Sequence, residues 1–150
     1  MEGDLYSPSL SGEQIEETKS YNLSSLFIVA ALGQLVAISA LGLQNAIWLK
    51  VKRKVLYTLL SIISVLFLLK FSLIYAYTHQ MIDIERSTYR LMGSVMAIVC
   101  FAAVYNLLKG SFNLHVSTKG DTKSLVVPGT IWCITSVAVE MILIITISII

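Results

Sequence analysis

The sequence predicts an all-α integral membrane protein in which four transmembrane helices form a bundle with short loops. Hydrophobic residues fill 56% of its 150 positions and charged residues only 13%, whereas soluble domains carry about 25% charged residues. The apolar residues gather in four blocks, and about 20 such residues cover the hydrocarbon core of a bilayer. The blocks are 23–49, 55–78, 91–108 and 129–150. The second and fourth have almost no charged face, which a soluble four-helix bundle would need.

Residues 1–22 form an acidic tail before the transmembrane domain, 23–150. The tail lacks the basic and apolar regions of a signal peptide, so the first helix is expected to act as an uncleaved anchor. Ser11 is a candidate N-cap with Gln14 three residues later. This pattern predicts a short amphipathic helix in the tail, and a solvated segment without helix is the alternative.

Loop charges predict the orientation of the domain. The loops after the first and third blocks hold seven basic residues against one acid, Asp121. The basic residues are Lys50, Lys52, Arg53, Lys54, Lys109, Lys119 and Lys123. The tail and the second loop hold three basic residues against seven acids. If all four blocks span the membrane, the positive-inside rule places both basic loops in the cytoplasm and both termini outside.

Two charged residues, Lys70 and Glu140, lie inside the second and fourth blocks. At 1.5 Å per residue their depths differ by about 6 Å, which a lysine side chain can span. An unpaired charge at mid-membrane costs about 2.5–3.5 kcal/mol or more. We therefore expect an intramembrane charged pair or a contact with a partner chain. The alternatives are proton or ion handling, snorkelling of Lys70 and protonation of Glu140.

Rows of small residues predict close helix packing. Gly33 and Ala37 form such a pair in the first helix, and Gly93 and Ala97 form one in the third. Small side chains four residues apart let helix backbones approach each other in lipid. The packing partner is either another helix of this chain or a neighbouring chain.

Polar residues form a stripe along the second helix. Its members are Tyr57, Ser61, Ser64, Ser72 and Tyr75. At 100° per residue they share one narrow sector, and Lys70 lies about 160° around the helix from it. We expect the stripe inside the bundle, in interhelical hydrogen bonds or along a hydrated path. Two faces unsuited to lipid on one helix indicate that the chain packs against something else.

The residues needed for common catalytic chemistry are missing from the sequence. The two histidines, His79 and His115, lie at a helix end and in a loop, so they do not suit haem ligation within the helices. There is no C-x-x-C pair, Gly-rich phosphate loop or H-E-x-x-H pattern. The sequence favours a chain without enzymatic activity, cofactor or metal, and it indicates no contact with nucleic acid.

These observations lead to two hypotheses of function. The first is a non-catalytic multi-pass subunit of a larger membrane assembly, whose partners are the lipid bilayer and other membrane chains or copies of itself. The alternative is a protomer of a proton- or ion-coupled transporter or channel that uses Glu140 and Lys70.

Overall fold

A computed structural model describes residues 19–117 and 121–149 of the chain. Its helices are α1 (Leu26–Trp48), α2 (Arg53–Thr78), α3 (Arg86–Ser117) and α4 (Val126–Ile149). Two short strands are also present, β1 (Lys19–Tyr21) and β2 (Asp121–Lys123). All four helices are long and apolar enough to cross a membrane, which agrees with an integral multi-pass protein. The short helix predicted around Ser11 and Gln14 lies outside the described residues.

Helices α3 and α4 extend furthest beyond their apolar blocks. Helix α3 covers 86–117 rather than 91–108, because polar residues continue the helix past the apolar stretch at both ends. Helix α4 begins at Val126 rather than at 129, so Pro128 lies within its first turn. Proline is tolerated there because its missing N–H has no partner within the helix.

The two strands join the segment before α1 to the segment before α4. They pair in parallel, with Lys19 opposite Asp121 and Tyr21 opposite Lys123. The buried Tyr21 phenol has a raised pKa because of its burial. Strands of three residues are too short to show the alternation of side chains by which strands are predicted. The sequence analysis therefore missed them.

Helix α1 does not cross the bundle in one straight run. In a straight helix, Asn45 would lie about 28 Å beyond Leu26. Yet the N–H of Tyr21, five residues before Leu26, donates to Asn45 Oδ1 at 2.8 Å, and the Tyr21 and Trp48 ring centroids are 4.9 Å apart. Five extended residues span at most about 18 Å. The chain therefore reverses within α1, at Gln34, where the backbone is not helical (φ 52°, ψ −155°).

Gln34 divides α1 into two halves, α1a (26–33) and α1b (35–48). The halves lie against different helices. A Cβ placed on Gly129 would be 3.2 Å from Val29, so α1a lies beside the beginning of α4. A Cβ placed on Gly42 would be 2.7 Å from Val104, so α1b lies beside the second half of α3. Together the halves form a helical hairpin that enters and leaves the bundle at one end.

That end, which we call the strand end, holds β1, β2 and the connection between α1 and α2. The other end, the far end, holds the connection between α2 and α3. Helix α4 begins beside β2 and rises about 36 Å over its 24 residues. Lys19 and Ile149 therefore lie at opposite ends of the bundle.

The hairpin is the core of the molecule. More than half of the most apolar window of α1 is buried, compared with 28% or less in the other helices. Leu26, Leu35, Ile38 and Leu41 are completely inaccessible. Since α2, α3 and α4 surround this hairpin, most of their large apolar side chains face outward, as expected of surfaces in contact with lipid.

The reversal needs a residue without a side chain at Gly33. A Cβ there would lie 2.5 Å from Ala37 Cβ and 2.7 Å from Cys133 Sγ. Such distances force the hairpin or α4 to shift. Gln34 itself has a positive φ, which glycine adopts at lower cost than other residues. Its side chain accepts a hydrogen bond from Lys70 Nζ at 3.0 Å.

Replacing Gly33 tests the hairpin turn. We expect Gly33→Ala to lower the free energy of unfolding by about 1–3 kcal/mol, because the added methyl group overpacks the turn. Chemical denaturation of the purified protein in detergent measures this change. Gly110→Ala is the matched control, since a Cβ on Gly110 meets nothing within 4 Å. Equal stability of the two variants would contradict the tight turn.

Candidate intramembrane polar site

Four polar side chains, one from each helix, meet inside the bundle. Lys70 Nζ donates to Glu140 Oε2 at 3.1 Å and to Gln34 Oε1 at 3.0 Å. Tyr89 Oη donates to Glu140 Oε1 at 3.1 Å. Both carboxylate oxygens and the amide oxygen are thus engaged. We call Gln34, Lys70, Tyr89 and Glu140 the polar cluster.

The cluster lies nearer the far end of the bundle than the strand end. Lys70 is 17 residues into α2, about 25 Å from the beginning of the helix and about 12 Å from its last residue. The reversal of α1 carries Gln34 to the same depth. The polar cluster therefore covers the tip of the hairpin.

Burial makes the ion pair energetically important. The side chains of Lys70 and Glu140 are only 6% and 18% exposed. Desolvating two ions is repaid only with good geometry and further hydrogen bonds. Gln34 and Tyr89 supply those bonds, one to each ion. Removing one of the two ions leaves the other charge buried without its partner, which costs about 3–5 kcal/mol.

Neighbouring residues hold the cluster in place. The rings of Tyr77 and Tyr89 are stacked, with centroids 4.7 Å apart. Gly93 lies beside Gln34, because a Cβ on this glycine would be 3.4 Å from Gln34 Oε1. The aromatic stack orients the Tyr89 hydroxyl toward Glu140, and the glycine leaves room for the amide.

The structure brings together the two charged residues that the sequence analysis selected, and it adds two that were missed. Gln34 is an uncharged polar residue beside a glycine in an apolar run. This pattern is the sequence signal for its special position. Tyr89 was one of several tyrosines near the predicted outer membrane boundary. No sequence pattern distinguished it from the others.

The small residues selected for helix packing are all buried within this chain. Gly33 and Ala37 lie at the hairpin turn, and Gly93 and Ala97 lie where α3 meets the hairpin. Their neighbours are other parts of the same chain. Gly33 acts through the turn, because its close approach to Ala37 arises from the reversal and not from packing between two straight helices.

The polar stripe of α2 does not face the interior of this chain, so its predicted place inside the bundle is corrected. Its hydroxyl-bearing members Tyr57, Ser61, Ser64, Ser72 and Tyr75 are all exposed. The reason is geometric. The opposite face of α2, with Leu59, Ile63, Leu66 and Ile74, is buried against α3, the hairpin and α4, and Lys70 belongs to that face.

An open groove between α2 and α4 reaches the ion pair from outside. Its volume is about 510 Å³, and Lys70, Glu140 and Ser64 lie among its mainly apolar lining residues. A polar group that enters from the lipid side can therefore approach the charges. Among the described residues, no group of three His, Cys, Asp or Glu side chains is placed to hold a metal ion.

No protein-family model, curated protein or solved structure matches this chain. The chemistry of the site is therefore read from its own contacts. The Tyr89 hydroxyl and the Lys70 ammonium both donate to Glu140, one to each carboxylate oxygen. An ion pair with two supporting hydrogen bonds can hold helices together or exchange a proton.

A double-mutant cycle on the ion pair tests its role. We expect Lys70→Met and Glu140→Gln each to lower the free energy of unfolding by about 3–5 kcal/mol, because each leaves buried polar groups without their partner. The double variant should lose less than the sum of the single losses, by about 1–3 kcal/mol. Denaturant titration of the purified chain in mild detergent measures all three.

Lys54→Met is the control for removal of a lysine from α2, since Lys54 is exposed at the beginning of the helix. Its effect should stay within about 0.5 kcal/mol. Additive effects of Lys70→Met and Glu140→Gln would contradict the coupling described above.

Proposed function

We propose that the chain is a non-catalytic, multi-pass subunit of a larger membrane assembly, and that the polar stripe of α2 is its docking surface. The observation that supports this proposal is the exposure of that stripe on a chain whose internal charges already have partners. Lys70 does not need a foreign counter-charge, because Glu140 lies 3.1 Å away. The remaining polar face points outward, where a neighbouring helix can use it.

The composition of the stripe suits contact between transmembrane helices. Serine is small and lets helix backbones approach, and its hydroxyl can bond across the interface. Leu68, on the same face, is 68% exposed, and Tyr57 is 66% exposed. A hydroxyl in lipid can also bond to its own helix, as Ser72 does to the Leu68 carbonyl at 2.9 Å. The tyrosines and serines together favour a protein partner over lipid.

We also propose a topology of three membrane crossings and one re-entrant hairpin. Seven of the ten Lys and Arg residues that the structure describes lie toward the strand end, the far end holds Arg86 and Arg90, and Lys70 lies between. The positive-inside rule then places the strand end in the cytoplasm. Under this proposal both basic loops lie in the cytoplasm, as predicted, and the described segment before α1, 19–25, lies there too instead of outside. Non-helical backbone at membrane depth is tolerated because protein surrounds it.

Single-cysteine labelling tests this topology. Cysteines are placed at Asn22, Lys52 and Asp83 in a chain whose Cys100 and Cys133 are replaced by alanine. We expect a membrane-impermeant maleimide to label Asp83→Cys in intact cells and the other two only after permeabilisation. Labelling of Asn22→Cys in intact cells, with Lys52→Cys protected, would restore the four-crossing arrangement.

Bulky substitutions on the stripe test the docking surface. We expect the triple variant Ser61→Leu, Ser64→Leu and Ser72→Leu to stay folded, because exposed substitutions change stability by only about 0.5 kcal/mol. It should lose a stoichiometric partner that the wild type keeps on gentle extraction, since leucines separate the helices. Mass determination and identification of the co-purifying chains provide the measurement.

The control is Thr146→Leu with Ser148→Leu, which alters exposed hydroxyl residues on α4. A partner retained by the triple variant would contradict the docking surface.

The groove between α2 and α4 favours the second candidate, a proton- or ion-coupled carrier. Under that candidate, the wild-type chain alone mediates flux in liposomes, and folded Glu140→Gln does not.

A further inference from the structure

A second groove lies at the strand end, between α1a and the beginning of α4. Its volume is about 590 Å³, within the range of 300–1,000 Å³ typical of ligand sites. Its polar lining residues Asn22, Ser25, Lys123 and Ser124 come just before α1a and α4, at the strand end, and we call this part of the groove the mouth. The rest of the lining is mainly apolar and consists of Ile28, Val29, Leu32, Leu125, Val126, Gly129, Thr130 and Cys133.

The length of this groove indicates whether a helix or a lipid tail can occupy it. It extends along α4 from Val126 to Cys133, about 10 Å, and Cys133 lies beside Gly33 at the hairpin turn. A transmembrane helix needs a track of about 30 Å, the thickness of the hydrocarbon core. A groove that reaches from one end of the bundle only to the hairpin turn suits a single lipid tail from one leaflet.

The charge at the mouth indicates which kind of lipid headgroup the groove favours. Lys123, Asn22 and Ser25 all line the groove and carry an ammonium, an amide and a hydroxyl group. The strand end also carries the basic sequence Lys52–Arg53–Lys54. A cation close to the membrane surface favours an anionic lipid by about 1 kcal/mol. Ammonium, amide and hydroxyl groups together can surround a phosphate.

We propose that this groove binds one acyl chain of an anionic phospholipid, with the lipid phosphate at Lys123, Asn22 and Ser25. The tail packs on Ile28 and Leu32, which are 60% and 70% exposed in the chain alone. The lipid thereby covers apolar surface that the short α1a leaves open beside α4. The site would join the hairpin to the surrounding leaflet.

Native mass spectrometry of the delipidated full chain tests the site. Phosphatidylglycerol and phosphatidylcholine with the same acyl chains are added separately. We expect one phosphatidylglycerol to bind more tightly than phosphatidylcholine. Leu32→Trp should weaken this binding by about tenfold, because filling the groove excludes about two CH₂ groups. Lys123→Gln should reduce the preference for the anionic lipid by about fivefold, and Lys123→Arg should keep it.

Leu91→Trp is the matched control, since Leu91 is 64% exposed at the far end of α3; it should bind lipid as the wild type does. Thermal unfolding of each variant shows that it is folded. Unchanged binding by Leu32→Trp would overturn the site, and equal binding of the two lipids by the wild type would overturn the anionic headgroup. A loss of dimer mass in Leu32→Trp without a change in lipid binding would assign the groove to a second copy of the chain.

Discussion

The contact between Lys70 and the hairpin tip is the interaction on which the rest of the structure depends. A chain that reverses inside a membrane needs protein around its non-helical backbone. Lys70 binds Gln34 at the reversal and Glu140 on α4 with the same ammonium group. Tyr89 completes the network from α3. One buried cation of α2 thereby ties the tip of the hairpin to α4, and Glu140 extends the network to α3 through Tyr89.

The other features of the bundle follow from this arrangement. The hairpin fills the core, so α2 turns its apolar face and Lys70 inward and its hydroxyl stripe outward. The reversal places β1 beside β2, at the strand end. Because α1a is short, it leaves a groove beside α4 at that end. Beside the ion pair, the space between α2 and α4 remains open toward lipid. The outward-facing stripe and the two grooves thus have one geometric origin.

Much of this architecture could be predicted from the sequence, and the missing part has a clear physical cause. Apolar blocks predicted the helices, and depth along them predicted that Lys70 can reach Glu140. The reversal was missed because an apolar run of 27 residues suits a straight span and a hairpin equally well. Gly33 supports both interpretations, as a packing residue or as a turn residue. Without the hairpin, neither the exposed stripe nor the role of Gln34 could be predicted.

The most direct test of the central claim is the distance between the two ends of α1. Nitroxide labels at Ser24 and Ile47, in a chain with Cys100 and Cys133 replaced by alanine, allow it to be measured by double electron–electron resonance. Both sites are exposed. The hairpin predicts a short distance, set by the separation of packed helices, about 8–10 Å, and the length of the label arms. A single distribution near 34 Å, the rise of a straight helix over 23 residues, would contradict it.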